Sequence, residues 1–305
     1  MVSLAGEEML SWLAVEKGRR PNTLAAYRRD LAAYESWLEA RKEDLPSVDE
    51  GTLAEYVAHL GQAHLAPATV ARALVTVRSL HRFMAQEGLA AQSPAAMLRP
   101  PPVPRGLPKA LSEEEVERLL ASVTGTGPVA CRDRAVLEVL YGTGMRISEL
   151  TGLSLSDLAI EDQLVRVVGK GNRERLVPLG RYARQALAAW LAPGGRPALV
   201  PARWARRGAA EALFLNLRGG RLTRQGAWAL VRAYGHRAGL DGRLTPHVLR
   251  HSCATHLLDH GADIRVVQEV LGHASIGTTQ VYTKVSAERL RLAYLASHPR
   301  ARAAG

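Results

Sequence analysis

Apolar residues recur every three or four positions through most of this chain, the interval at which side chains return to one face of an α-helix. In PNTLAAYRRDLAAYESWLEA, Leu24, Tyr27, Leu31, Tyr34 and Leu38 form one stripe, and Asn22 is placed to cap the helix they predict. A second long helix is predicted from about Ala68 to Gly88, with Val70, Leu74, Val77 and Met84 on its inner face. A first helix holding Met9, Trp12 and Leu13 and a third near Thr52 to His64 complete a small all-α bundle. The bundle ends at RPPPVPRGLPK, residues 99 to 109, where five prolines in eleven residues exclude a helix and predict a stiff extended connector. Residues 1–98 and 110–305 are therefore expected to be separate domains.

Beyond the connector the helical period resumes. Ser112 and Glu115 have the spacing of a capping box that opens a new helix. VACRDRAVLEVLYGTGMRISEL reads as a helix to about Tyr141, a glycine-rich break and a short helix starting near Arg146. The one departure from period 3.6 is QLVRVVGKGNRERLVPL, where two β-branched runs flank Gly169-Lys170-Gly171-Asn172 and predict a β-hairpin. Helices follow near 180–192, 223–239, 246–261 and 263–271, the last stopped by Gly272, and SAERLRLAYLASH is one more amphipathic helix. The expected fold class is mainly α: an N-terminal helical bundle and a C-terminal mixed α/β domain with a small β-hairpin.

Composition narrows the function. The 305 residues are 47% hydrophobic and 23% charged, an ordinary globular balance, but Lys and Arg exceed Asp and Glu by 40 to 29. A net charge of +11 predicts attraction to a polyanion, with a basic, solubilising surface as the plainer reading. In the N-terminal domain Arg28, Arg29, Arg72, Arg78 and Arg82 lie off the buried stripes and are candidate DNA contacts. Cys131 and Cys253 are far apart on apolar helical patterns and read as small core residues of a reducing compartment, so a cytoplasmic protein is expected. The acidic, amphipathic start does not resemble a signal peptide, and no run is apolar enough to span a bilayer.

The candidate chemistry is cationic. His247 and Arg250 are one helical turn apart in HVLRHSCATHLL, His273 follows a helix-stopping glycine, and Tyr282 lies nine residues beyond it. Arg146 and Lys170 stand upstream. Each has a plain structural reading: Tyr282 as a core residue, Lys170 as a solvated lysine, Arg146 paired with Glu149 three residues on, His273 capping a carbonyl. His247/His251 and His256/His260 are i, i+4 pairs of the kind that can bind zinc, but no Glu follows either first histidine and the pairs sit at different angles around the helix, so no metal is expected. Jointly the set suits a phosphodiester attacked by a side-chain oxygen without a metal. A pentacoordinate phosphorane needs preorganised positive donors, two arginines supply bidentate forks, and a lysine can protonate the leaving alkoxide. No cofactor is expected.

YGTGMRISEL, VRVVGKGNRERLVPL, LTPHVLRHSCATHLL and GADIRVVQEVLGHASIGTTQVYTKV, in this order, resemble the tyrosine recombinases of the phage-integrase type, specifically the Xer branch, and the likeness covers essentially the whole chain. It implies a SAM-like core-binding domain followed by a tyrosine-recombinase catalytic domain. Tyr282 would be the nucleophile that becomes joined to the 3′ phosphate, Arg146 and Arg250 the clamp on that phosphate, Lys170 the general acid for the 5′ oxygen, His247 and His273 hydrogen-bonding or proton-transfer assistants, and Glu149 the brace of the first arginine. Cys253 stands where the family commonly has an aromatic residue and Lys284 where it commonly has a histidine. The implied partners are double-stranded target DNA, further recombinase protomers in a tetramer contacted through the last helix, and a DNA translocase of the FtsK type. The implied role is resolution of chromosome dimers at cell division. A mobile-element integrase, a DNA-binding protein that never cuts, and a monomeric type IB topoisomerase are the alternatives. The intact six-residue set argues against the second, and the amphipathic last helix against the third.

Overall fold

In the computed structural model, which describes residues 2–90, 92–95, 109–169, 174–204, 208–272 and 284–301, the chain divides into two compact units, Met1–Gly106 and Leu107–Gly305. Each has its own hydrophobic core. Residues 99–108 of the expected connector lie outside the described residues.

The first unit is helical: α1 (Leu4–Val15), α2 (Pro21–Ala40), α3 (Glu50–Gln62) and α4 (Pro67–Gln86). Ser3 and Asp49 cap α1 and α3 by accepting from the backbone N–H groups of Gly6 and Thr52. Asn22 does not cap α2. The helix starts one residue earlier, at Pro21, because the fixed φ of proline suits the first helical position and its missing N–H removes an orphan donor. The predicted stripes face inward, with Leu31, Tyr34, Leu74, Val77 and Met84 essentially without solvent exposure. Polar groups are buried with them, in two hydrogen-bonded sets. The Tyr34 hydroxyl lies 2.8 Å from His81 Nε2, and burial pushes His81 down to about 4, so the ring stays neutral. The Asp30 carboxylate accepts both Nε and Nη2 of Arg72 and the Thr76 hydroxyl.

The second unit is built around α6 (Pro128–Thr143), whose residues from Arg132 to Thr143 are almost all buried. α5 (Glu113–Ala121) opens with the predicted capping box, both of its hydrogen bonds being present between Ser112 and Glu115. After α6 come α7 (Ile147–Gly152), the strands β1 (Leu158–Ala159), β2 (Leu164–Val168) and β3 (Glu174–Pro178), then α8 (Arg181–Leu191), α9 (Arg224–Arg237), α10 (Pro246–Asp259), α11 (Ile264–Leu271) and α12 (Lys284–Ser297). The hairpin expected from the β-branched runs is the β2–β3 pair. The two-residue β1, too short for a periodic signal, extends it to a three-stranded antiparallel sheet in the order β1-β2-β3.

Among the described residues, buried charges of this core are paired, as Arg132 on Asp133, which also accepts the Tyr234 hydroxyl, and Glu138 on Arg300, or, for Arg196, placed on the carbonyls of Ala210 and Ala212. Cys253 is fully buried, but Cys131 is only half-buried near the start of α6, its thiol on the Thr126 carbonyl, and is not the core residue expected. The last helix, expected on a neighbouring protomer, packs on its own unit in the single chain. Leu290 and Tyr294 are buried, and the Tyr294 hydroxyl donates to the Gly142 carbonyl at 2.6 Å. Among the described residues no helix is long and apolar enough to cross a membrane.

Candidate active site

Gly144 ends α6 in the left-handed conformation (φ +58°) and turns the chain so that Arg146 becomes the N-cap of α7. An arginine is unfavourable at the positive end of a helix. Here the charge is offset by Glu149, one turn into α7, whose carboxylate accepts the Arg146 backbone N–H and its Nη1, each at 2.8 Å. Arg146 and Glu149 thus form the i, i+3 ion pair of the plain structural reading. The Arg146 side chain remains 37% exposed.

The other arginine comes from α10. Thr245 caps that helix and Pro246 occupies its first position, which sets His247 at the exposed start and Arg250 one turn further on. Arg250 Nη1 donates to the Gly144 carbonyl at 2.7 Å and Nη2 to the Leu271 carbonyl at 2.8 Å. Arg146 and Arg250, distant in sequence, are thus held on one turn. Burial, and then the neighbouring Arg146 charge, push Arg250 down to about 10. Two cations are being held together in a partly desolvated place.

Sequence reasoning missed Arg175. It sits on β3 opposite Val167, and strand alternation points it to the buried face with Val177. Its Nη1 and Nη2 donate to the two Glu149 oxygens at 3.1 and 2.9 Å, and its Nε to the Val270 carbonyl. Glu149 therefore takes four donors, the full capacity of a carboxylate. Burial raises the Glu149 pKa, but the Arg175 hydrogen bonds and charge, joined by Arg146, outweigh it and hold the carboxyl below its usual range. The detectable signal in ERLVP was a charged residue in register with the inward-facing valine.

Lys170, His273 and Tyr282 lie outside the described residues. His247 is exposed on the Arg250 face of α10 and makes no hydrogen bond among the described residues. Of the neighbouring histidines, His251 is exposed and makes no hydrogen bond among the described residues, whereas His256 and His260 are occupied separately. His256 is buried with Nδ1 on the Tyr141 hydroxyl and Nε2 on the Leu111 carbonyl, so it has no lone pair for a metal, and His260 pairs with Glu113. In the first unit the five candidate DNA contacts divide. Arg28 is paired with Glu7 and Arg72 with Asp30, whereas Arg29, Arg78 and Arg82 make no ion pair among the described residues.

Residues 109–289 match the model of the phage integrase family, and residues 7–88 match that of the phage integrase N-terminal SAM-like domain. The chain is 49% identical over 306 residues to a tyrosine recombinase XerD of Mycobacterium tuberculosis, covering 96% of each chain. It is 46% identical over 301 residues to the tyrosine recombinase XerD of Corynebacterium glutamicum, covering 96% of this chain and 97% of the relative. Its structure is similar to that of the XerH site-specific recombinase bound to palindromic difH substrate in a post-cleavage complex, with 26% identity, a TM-score of 0.67, and coverage of 89% of this chain and 79% of the other.

Proposed function

This chain belongs to the phage integrase family, the tyrosine recombinases, and on that premise we propose how its residues exchange DNA strands. It is a site-specific recombinase of the Xer type. Arg146 and Arg250 hold the non-bridging oxygens of the scissile phosphate. The Tyr282 oxygen attacks phosphorus, the bond from phosphorus to the 5′ oxygen breaks, and the strand end remains as a 3′-phosphotyrosyl ester. Lys170 gives its proton to the departing 5′ oxygen, while His247 and His273 hydrogen-bond the phosphate or move the tyrosine proton. Attack by the 5′ hydroxyl of the partner strand reverses these steps, so phosphoester energy is kept and no nucleotide is spent. The site-specific reaction requires a duplex target and further protomers.

One observation carries this reading: Arg250 Nη1 sits on the carbonyl of Gly144, two residues before Arg146, so two guanidiniums are held at one turn, and the Glu149 carboxylate beside them is already shared between Arg146 and Arg175. That excess of fixed positive charge is the complement of a phosphorane. The N-terminal domain, residues 1–98, would hold the duplex through Arg29, Arg78 and Arg82, and residues 110–305 would cut it. By similarity to the XerD proteins, the proposed role is chromosome-dimer resolution in the cytoplasm, with an FtsK-type translocase as activator.

The test is to incubate wild type and Tyr282→Phe with fragmented chromosomal DNA, denature, recover protein-linked fragments and sequence their ends. Wild type should be joined to the 3′ phosphate of one recurrent sequence, and the variant should bind DNA without becoming joined. An adduct with the variant, or a 5′ linkage, would overturn the assignment.

A further inference from the structure

We infer that Arg175 is a positioning residue for the strand-cleavage reaction, acting through Arg146 and Arg250 rather than on the phosphate itself. The inference rests on the reading of those two arginines as the phosphate clamp. Three features support it.

Arg175 occupies a core position on β3 yet carries a charge, which only a specific partner can make tolerable. That partner is Glu149, the same carboxylate that holds Arg146. With only Arg146 to bind, Glu149 would keep two unfilled acceptor positions and could rotate about its side chain. The Arg175 fork occupies them and fixes the carboxylate plane. A second link runs the other way. Arg175 Nε donates to the carbonyl of Val270, and Arg250 Nη2 to that of the next residue, Leu271. The last turn of α11 thus takes one guanidinium from β3 and one from α10. Both carbonyls lie in the last turn of α11, which ends at Leu271 with Gly272 as its C-cap.

Backbone geometry reinforces the junction. Gly272 has φ +69°, and a Cβ there would lie 2.9 Å from Arg175 Cδ and Nε. Gly144 has φ +58°, and a Cβ there would lie 2.6 Å from Leu271 Cδ2. The Gly272 turn is closed against Arg175 itself, and the Gly144 turn against Leu271 and Cys253. Arg175 therefore bonds the carboxylate that supports Arg146 and the carbonyl next to one that supports Arg250. It is itself 7% exposed, with its described donors committed to protein acceptors, so it is a brace and not a ligand of the phosphate.

The experiment compares wild type, Arg175→Lys and Arg146→Ala on two DNA substrates. One has an ordinary scissile phosphate. The other has a methylphosphonate there, whose uncharged non-bridging group needs little cationic stabilisation. Lysine keeps the charge of residue 175 but cannot span both Glu149 oxygens and the Val270 carbonyl. On the phosphate, Arg175→Lys should form the covalent complex about 100-fold more slowly, the scale of loss for a small misplacement of reacting groups, with DNA affinity and its salt dependence unchanged. On the methylphosphonate the ratio of wild-type to variant rate should fall towards one. Equal slowing on both substrates, or wild-type rate on the phosphate, would overturn the inference. If Arg175→Lys shows no cooperative melt, Arg175→Gln takes its place, and if neither folds, Arg175 is structural only and the inference is wrong. Arg146→Ala separates the two claims: unless it is slow on the phosphate and recovers on the methylphosphonate, the clamp reading itself fails, whatever Arg175 does.

Discussion

Arg250 donates through Nη1 to the carbonyl of Gly144 at 2.7 Å, and this bond ties α10 to the turn that presents Arg146. The two arginines are thereby placed by the same short piece of backbone, and Arg250 is kept there against burial and against the charge of its neighbour. An anion entering the site would relieve both penalties.

Gly144→Ala should destabilise the second unit by about 2 kcal/mol or more, from the strained positive φ and the overlap with Leu271 and Cys253. Cleavage should fall as well, because the displaced carbonyl no longer holds Arg250. Gly152→Ala, where an added Cβ meets nothing within 4 Å and φ is ordinary, should stay within about 0.5 kcal/mol of wild type. Urea unfolding of the two variants, with covalent-complex formation on DNA, checks both.

Lys170→Ala should be slow on ordinary DNA and regain much of its rate on DNA with a bridging 5′ sulfur, because a thiolate leaves without a proton. Single-turnover formation of the covalent complex reads this directly. Equal slowness on both substrates would remove Lys170 from the role of acid.

Arg72 should behave as a structural residue despite its position among the candidate DNA contacts. Arg72→Ala leaves the buried Asp30 carboxylate with Thr76 as its remaining side-chain donor, for a loss of about 1–3 kcal/mol in stability. Arg29→Ala, Arg78→Ala and Arg82→Ala should instead leave stability unchanged, weaken DNA binding and reduce its salt dependence by about one ion per residue. Melting curves and binding titrations at several salt concentrations separate the two classes.

His81 should make the first unit acid-sensitive. Burial lowers its folded pKa to about 4 from an ordinary 6.5. The unfolded chain therefore binds a proton in that interval that the folded chain refuses. The sign follows: the stabilising contribution is complete above 6.5, declines as pH falls, and levels off below about 4, a total of about 3 kcal/mol. His81→Gln, which can still hydrogen-bond Tyr34 but does not titrate, should remove this decline. Comparing urea midpoints of wild type and variant from pH 8 to 4 isolates the effect, since other titrating groups cancel.

Much of the fold was legible because most elements carry their signal locally. The α2 and α4 stripes, the Ser112 capping box and the β-branched runs around Gly169 each fall within a short window, and the structure has those elements with boundaries shifted by one or two residues. Asn22 misled because it stands next to a proline that starts the helix first. The strand β1 escaped because two residues have no period. Arg146, Glu149, His247 and Arg250 were legible as types at a spacing, but their convergence was not, and Arg175 looked like any surface cation beside Glu174.

Local chemistry, then, decides where helices start and stop, which faces are apolar, and which side chains have the acidity and charge to handle a phosphodiester. Which of those side chains meet is another matter. That Arg175 rather than a solvent ion neutralises Glu149, and that Arg250 rests on Gly144 and Leu271, follows from how α11 packs on both α10 and β3 while α10 packs on α6. Such contacts join residues far apart along the chain. They form only where burial makes an unpaired charge too unfavourable to leave alone, and burial is a property of the packed whole rather than of any segment.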